Sequence, residues 1–215
     1  MFRKTLLTVL SVAGLLMATG ASAADPAAQQ GQAIAREGLK PNVAACDNCH
    51  NSGTGPFPLL AGQRKDYIAR QLKDFRTGKR EHAMMTPIAK ALSDAQSEAV
   101  ATFYSAQPVR KAPGPGAAMD LLERGAELAV LGEAVTSCDT CHGKGGDGSN
   151  DIVALAGQNP AYITAQIQAF RDGKRGNDNL SMMRNVAAKL KDADIKAVAA
   201  FYREVQDLVV ELPQD

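Results

Sequence analysis

Two short segments combine cysteine and histidine at a spacing that suits cofactor chemistry. The pattern is C-x-x-C-H, and it occurs at Cys46, Cys49 and His50 and again at Cys138, Cys141 and His142. On a helix these positions share one face, because residues at i, i+3 and i+4 are neighbours. Two thiols on that face can add to the two vinyl groups of a haem, and the imidazole can bind its iron. The sequence therefore predicts two covalently bound c-type haems, held by the four cysteines and ligated by the two histidines.

Two other kinds of site use cysteine pairs. Four cysteines in an exported protein can form two disulfides, but a thioredoxin-like C-x-x-C site is expected in a βαβ context. No alternating run of β-branched residues predicts a strand in this chain. A zinc ion needs a fourth ligand, and no cysteine remains outside the two motifs. The histidine that follows both pairs therefore favours haem attachment.

Each haem iron needs a further axial ligand, and the chain offers two methionine pairs. Met84-Met85 and Met182-Met183 lie in matched polar segments downstream of the two motifs. A thioether is a soft ligand that raises the haem potential, whereas methionine elsewhere commonly fills core space. His82 is the one histidine outside the motifs, and it is a competing ligand in the first half. Periodicity does not decide between the two methionines of a pair.

The motifs belong to a duplication. The segment L-A-G-Q at 60–63 returns at 155–158, and F-x-x-G-K-R at 75–80 returns at 170–175. We interpret L-A-G-Q as leucines that pack near the haem and glycines that form turns. The lysine–arginine pairs either neutralise haem propionates or are solvated. Residues 105–119 contain three prolines and two glycines, which predicts a connector without regular structure between two similar domains.

Apolar spacing predicts helices in both copies. An i, i+4, i+7 pattern ends at a glycine twice, at Ile68, Leu72, Phe75 and Gly78 and at Ile163, Ile167, Phe170 and Gly173. Ser93 fits a capping box, and Pro160 fits the first turn of a helix. Further helices are predicted near 26–37 and 120–131. With no strand predicted, the fold class is all-α.

The N-terminus and the charge distribution indicate an exported protein with two different ends. Residues 1–23 have a basic start, an apolar run and a small-x-small cleavage site, which is typical of a secretory signal peptide. Its removal leaves 22 basic and 23 acidic side chains, a net charge of −1. The net charge is +2 over 24–104, +2 over 105–119 and −5 over 120–215. Such a separation orients a molecule during encounter, so we predict that the two ends meet different partners.

The assembled motifs resemble those of the dihaem cytochrome c4 family over essentially the whole chain after the signal peptide. The resemblance implies two cytochrome-c-like α domains, at 24–106 and 120–215, joined by a Pro/Gly-containing connector at 107–119. It also implies that the second methionine of each pair, Met85 or Met183, binds the iron. The second copy has no proline between His142 and Pro160, unlike the first. If a residue of this loop accepts the N–H of the haem-binding histidine, the acceptor in the second copy is a different backbone carbonyl.

The resemblance further implies a periplasmic electron carrier rather than an enzyme. Its partners would be redox proteins: an upstream cytochrome complex or dehydrogenase, and a downstream terminal oxidase or other acceptor. Some members of the family associate with the membrane surface, and no nucleic-acid partner is expected. The alternative is a cytochrome subunit of a periplasmic dehydrogenase complex. A dihaem peroxidase is a weaker hypothesis, because it needs acid–base groups above an open iron and only three histidines exist.

Overall fold

The computed structural model describes residues 25–132 and 135–208, so the predicted signal peptide at 1–23 lies outside the described residues. The described chain is helical, and its extended pairing is limited to two isolated β-bridges. The all-α prediction is confirmed. The α-helices are α1 (Pro26–Glu37), α2 (Asp47–His50), α3 (Lys65–Thr77), α4 (Met85–Lys90), α5 (Asp94–Ser105), α6 (Met119–Ala126), α7 (Cys138–His142), α8 (Pro160–Arg171), α9 (Met182–Ala187) and α10 (Asp192–Leu208).

The helices form two similar sets, α1–α5 and α6–α10, which we call the first and second repeat. In each repeat the first helix crosses the last one at a glycine, because the backbones approach too closely for a side chain. A Cβ at Gly31 would lie 2.0 Å from the carbonyl oxygen of Ala99. The equivalent Cβ at Gly125 would lie 2.3 Å from the carbonyl oxygen of Ala197. The same crossing therefore builds both repeats.

Each repeat buries its own apolar core. The first core includes Ile34, Ile68 and Phe103, and the second includes Ile163 and Phe201. In the first repeat these side chains come from α1, α3 and α5, and in the second they come from α8 and α10. The i, i+4, i+7 spacing places Ile68 and Ile163 on the buried face of α3 and α8. Two cores on two homologous helix sets agree with the predicted pair of similar domains.

Most predicted helix ends are found where the sequence places them. Gly78 ends α3 in the left-handed conformation with φ 77°, and Pro160 opens α8. Ser93 and Gln96 form the capping box at the start of α5. The helix predicted near 120–131 differs, because its α-helical part ends at Ala126. It continues to Leu131 as a π-helical turn, closed by a hydrogen bond of 3.0 Å from the Gly132 N–H to the Glu127 carbonyl.

The two repeats are joined by a reciprocal exchange of glutamine side chains. Gln63 accepts from the Ala154 N–H at 2.8 Å and donates to the Ala154 carbonyl at 3.0 Å. Gln158 accepts from the Leu59 N–H at 2.8 Å and donates to the Leu59 carbonyl at 2.9 Å. Both glutamines are buried. The interpretation of L-A-G-Q as packing and turn residues alone is therefore incomplete, since its last residue ties the repeats together.

The segment between α5 and α6 is fastened to both repeats. Arg110 donates to the Asn51 carbonyl at 2.7 Å, and the Arg203 Nε donates to the Ala112 carbonyl at 2.9 Å. Lys111 forms an ion pair of 2.8 Å with Glu204 on α10 and a second one with Asp207. Arg110 and Lys111 supply the net charge of +2 of residues 105–119. The charge of Lys111 is compensated within the molecule, which weakens the contribution of this segment to the charge separation.

Across residues 25–132 and 135–208, none of the helices has the length and apolar character needed to cross a membrane.

Candidate functional site

The two C-x-x-C-H motifs lie on the short helices α2 and α7. Their four thiols are free rather than paired in disulfides. The first sulfur of each motif points at a carbonyl of its repeat's first helical segment, with Cys46 Sγ 4.0 Å from the Ile34 oxygen and Cys138 Sγ 3.8 Å from the Leu128 oxygen. Burial, reinforced by the charge of Asp47, raises the pKa of Cys46 to about 11, and burial raises that of Cys138 to about 11. Both groups are therefore neutral thiols at neutral pH.

Both motif histidines are oriented by a backbone carbonyl. His50 Nδ1 lies 2.9 Å from the Pro58 oxygen, and His142 Nδ1 lies 2.9 Å from the Val153 oxygen. Burial lowers the pKa of each imidazole, which favours the neutral form. Because a carbonyl can only accept, the proton sits on Nδ1 and the Nε2 lone pair is left to bind a metal. The second repeat uses a non-proline carbonyl, as the sequence predicts.

The structure treats the two methionines of each pair differently. Met84 is 47% exposed and Met182 is 45% exposed. Met85 and Met183 are partly buried and pack against the cores of their own repeats. His82 is exposed, and its Nδ1 faces the backbone N–H groups of Met84 and Met85 at 3.3 and 3.4 Å. The second methionine of each pair is thus the more buried one and the one that packs against the core.

An apolar cavity of about 230 Å³ lies in the second repeat. Its lining includes Cys138, Cys141, His142 and both methionines of the second pair, Met182 and Met183. Tyr67 and Arg70 from α3 of the first repeat also line it. Two thiols, an imidazole and a thioether around an apolar space are the donor set that a covalently attached haem requires. The residues present therefore fit this cofactor, and the second site includes side chains from both repeats.

A tyrosine on the last helix of each repeat holds the motif helix. Tyr104 donates to Asp47 at 2.6 Å, and Tyr202 donates to Asp139 at 2.8 Å. Burial raises the pKa of both phenols, so they remain neutral donors. The acceptors are the aspartates between the two cysteines of each motif. Sequence reasoning missed this contact, although the duplicated C-D-x-C-H and F-Y signals were available to find it.

The arginine of each lysine–arginine pair crosses to the other repeat. Arg80 donates to Tyr162 at 3.1 Å and to Gln166 at 2.7 Å, both on α8. Arg175 donates to Tyr67 at 3.2 Å and to Gln71 at 3.1 Å, both on α3. These two arginines are therefore interface residues, so the solvated interpretation is wrong for them; the adjacent Lys79 and Lys174 are exposed.

Among the described residues, neither interface arginine has a carboxylate partner. Their side chains donate to the amide oxygens of glutamine and asparagine and to tyrosine hydroxyl groups, which are all uncharged. Each guanidinium also lies over a phenylalanine ring, Arg80 at 4.6 Å from Phe75 and Arg175 at 4.5 Å from Phe170. Burial pushes the pKa of Tyr67 upward, but the neighbouring guanidinium charges outweigh it and the pKa is lowered. The interface therefore has an excess of positive charge that suits an anionic group.

Comparisons with known proteins place this arrangement in a family. The cytochrome c family model matches residues 123–206. A thiosulfate dehydrogenase electron acceptor of Stutzerimonas stutzeri is 37% identical, and the match covers 90% of this chain and 92% of that protein. Cytochrome c4 of Azotobacter vinelandii is 33% identical over 92% of this chain and 95% of its own length.

A solved structure agrees with the sequence matches. Thiosulfate dehydrogenase (TsdBA) from Marichromatium purpuratum superposes with a TM-score of 0.72 at 30% identity over 82% of this chain. The present chain spans 40% of that longer protein. The near full-length match to a cytochrome c4, the cytochrome c family match and the duplicated helical fold lead to one conclusion: this chain belongs to the cytochrome c4 family.

Proposed function

We propose that the chain holds two covalently bound haem c groups, one in each repeat. The attachment sites are Cys46 and Cys49 in the first repeat and Cys138 and Cys141 in the second, and the iron ligands are His50 with Met85 and His142 with Met183. The observation that carries this proposal is the cavity whose lining brings together Cys138, Cys141, His142 and Met183. Bound in this way, a haem iron alternates between the ferric and ferrous states and so holds one electron.

The surrounding residues have defined tasks in this proposal. The carbonyls of Pro58 and Val153 fix the tautomer and the ring orientation of the two histidines. Arg80 and Arg175 supply positive charge at the interface, where they would neutralise the carboxylate side chains of the haems. For these two residues we therefore favour charge neutralisation, because a guanidinium that is withdrawn from water without a counter-ion is costly.

The domain boundaries and the location follow from the sequence. We place the signal peptide at 1–23, the first cytochrome c domain at 24–106, the connector at 107–119 and the second domain at 120–215. The two separate apolar cores and the absence of helix between Ser105 and Met119 support this division. The signal sequence and the need for haem attachment outside the cytoplasm support a periplasmic location.

The activity that we propose is electron transfer between redox proteins, without substrate chemistry. A dehydrogenase or a cytochrome complex would reduce the protein, and a terminal oxidase or another acceptor would oxidise it. A thiosulfate dehydrogenase is the best-supported donor, because one close relative is named as the electron acceptor of such an enzyme. The alternative, a stable subunit of a dehydrogenase complex, is supported by the match to part of a longer thiosulfate dehydrogenase chain.

Two measurements on the mature holoprotein test these proposals. Mass spectrometry of denatured protein should give the polypeptide mass plus two haems, and a redox titration should show two one-electron centres. In a stopped-flow experiment, thiosulfate with a thiosulfate dehydrogenase should reduce both centres rapidly. Fewer than two haems would refute the site assignment, and reduction by a quinol-linked cytochrome complex alone would refute the proposed donor. Co-purification with the dehydrogenase at physiological salt would favour the subunit alternative over the free carrier.

A further inference from the structure

The segment that leads to Met183 is longer than its counterpart in the first repeat. Three residues, 81–83, separate Arg80 from the first methionine pair, whereas six residues, 176–181, separate Arg175 from the second pair. We call residues 176–181 the second methionine loop. The three additional residues therefore lie directly before the pair Met182-Met183. A change in the shape of this loop would move the thioether of Met183, the proposed iron ligand.

The second methionine loop is closed at its base and strained at its tip. The buried carboxylate of Asp178 accepts from the Arg184 backbone N–H at 3.0 Å and from its Nε at 2.9 Å. Between them, Leu180 and Ser181 have φ values of 51° and 58°, a left-handed conformation that residues other than glycine adopt at an energetic cost. Such a loop keeps its shape only where other contacts hold it.

Within the second repeat the loop is held by Arg184 and by Arg175, whose Nε donates to the Asn177 side-chain oxygen at 2.9 Å; its remaining contacts come from the first repeat. The Asn177 side-chain amide donates to the Asp74 carboxylate at 2.7 Å and to the Gln71 carbonyl oxygen at 3.0 Å, both on α3. Arg70, on the same helix, donates to the Asp151 carbonyl at 2.7 Å, and its Nε lies 3.1 Å from the Asp151 carboxylate. Asp74 is 7% exposed, so its bond to Asn177 is shielded from water. Helix α3 therefore supports the wall of the second site.

The corresponding loop of the first repeat has no such support in the described chain, where the hydrogen bonds of residues 81–84 are all local. His82 accepts from the N–H groups of Met84 and Met85 at 3.3 and 3.4 Å. The His82 N–H donates to Thr86 at 3.0 Å. The arginines that precede the two loops, Arg80 and Arg175, both donate across the interface. Within the loops themselves, the described hydrogen bonds to the other repeat are those of the second methionine loop.

We propose that Asn177 and Asp74 are positioning residues through which the first repeat holds Met183 in place. The ligation and potential of the second centre then depend on α3, whereas the methionine loop of the first centre does not depend on the second repeat. The inference rests on the proposed function, because it takes Met183 as an iron ligand. It predicts that breaking the hydrogen bonds between Asn177 and α3 of the first repeat alters the spectrum of the cofactor in the second repeat.

The test uses the full-length holoprotein in a Met85→Ala background, where the near-infrared sulfur-to-iron band reports the second centre alone. Asn177→Ala should remove most of that band and lower the potential of the second centre. Asn177→Asp should also do so, because it keeps the acceptor for Arg175 but removes the amide donor to Gln71 and Asp74 and places a carboxylate against Asp74. Combining Asn177→Asp with Asp74→Asn should restore the band, since the hydrogen bond forms again with donor and acceptor exchanged. Lys73→Ala, an exposed neighbour on α3, is the matched control and should change nothing.

A second readout is independent of the cofactor's spectrum. Hydrogen–deuterium exchange of a peptide spanning 176–184 should be faster in Asn177→Ala than in the wild type. It should return to the wild-type rate in the double variant Asn177→Asp with Asp74→Asn. An unchanged band and potential in Asn177→Ala would overturn the proposal, as would equal changes in both centres in the otherwise wild-type chain. If the double variant Asn177→Asp with Asp74→Asn does not regain the band, Asp74 is not a positioning residue. A wild-type protein with fewer than two haems, or without a sulfur-to-iron band, would instead refute the proposed function.

Discussion

Replacing Gln63 with alanine should loosen the interface between the two repeats. The side chain makes two hydrogen bonds to the backbone of Ala154, 91 residues away, at 2.8 and 3.0 Å. Gln63 is 5% exposed and Ala154 is 8% exposed, so water does not readily replace the lost partner. The substitution therefore leaves a buried N–H and a buried carbonyl without their partners.

The expected cost follows from those two groups. An unsatisfied buried backbone group costs about 1–3 kcal/mol, so two of them lower the free energy of unfolding by about 2–6 kcal/mol. A change of about 3 kcal/mol corresponds to roughly a hundredfold shift in the folded, docked population. Gln158→Ala should cost a similar amount, because its bonds to Leu59 are equivalent at 2.8 and 2.9 Å. The double variant should cost less than the sum of the two, since both losses act on one interface.

Urea unfolding of the holoprotein, followed by far-ultraviolet circular dichroism, measures these free energies. Gln29→Ala is the matched control, because Gln29 is exposed on α1 and should change stability by less than about 0.5 kcal/mol. A value for Gln63→Ala that matches this control would show that the reciprocal exchange does not stabilise the molecule.

Two further substitutions probe the second site. Met183→Ala should remove about half of the near-infrared sulfur-to-iron band of the oxidised protein and lower one of the two potentials, since one of two thioether ligands is lost. Met182→Ala should leave the band and both potentials unchanged. The reverse result would show that Met182, not Met183, is the ligand. Tyr202→Phe should lower the free energy of unfolding by about 1.5–3 kcal/mol, because it removes a bond of 2.8 Å to the carboxylate of Asp139. Thermal or urea unfolding measures it, and an unchanged midpoint would contradict the contact.

The features that sequence predicts well in this protein are local ones. The apolar spacing before Gly78 and the capping box at Ser93 each depend on residues within a few positions, and both are found. The greater burial of Met85 agrees with the family resemblance rather than with any periodicity in the chain. The predicted signal peptide lies outside the described residues and stays a prediction.

The interface is what the sequence does not reveal, because its partners are far apart along the chain. Gln158 meets Leu59 across 99 residues, and Arg80 meets Gln166 across 86. A glutamine or an arginine near a turn is most often exposed to solvent, so the identity of the residue does not predict that it is buried. Only the docking of the repeats turns these residues into buried donors and acceptors.

The reciprocal glutamine exchange has a consequence for the ancestry of the chain. In a self-complementary contact the same surface serves both partners, which is the arrangement of a twofold homodimer. A single ancestral repeat that displayed Gln63 and its neighbouring backbone would have matched a second copy of itself. Joining two such copies into one polypeptide would preserve that surface and free each half to diverge. A longer loop in one half alone, such as residues 176–181 with Asn177, is open to a fused chain but not to a homodimer, where it would have appeared on both sides at once.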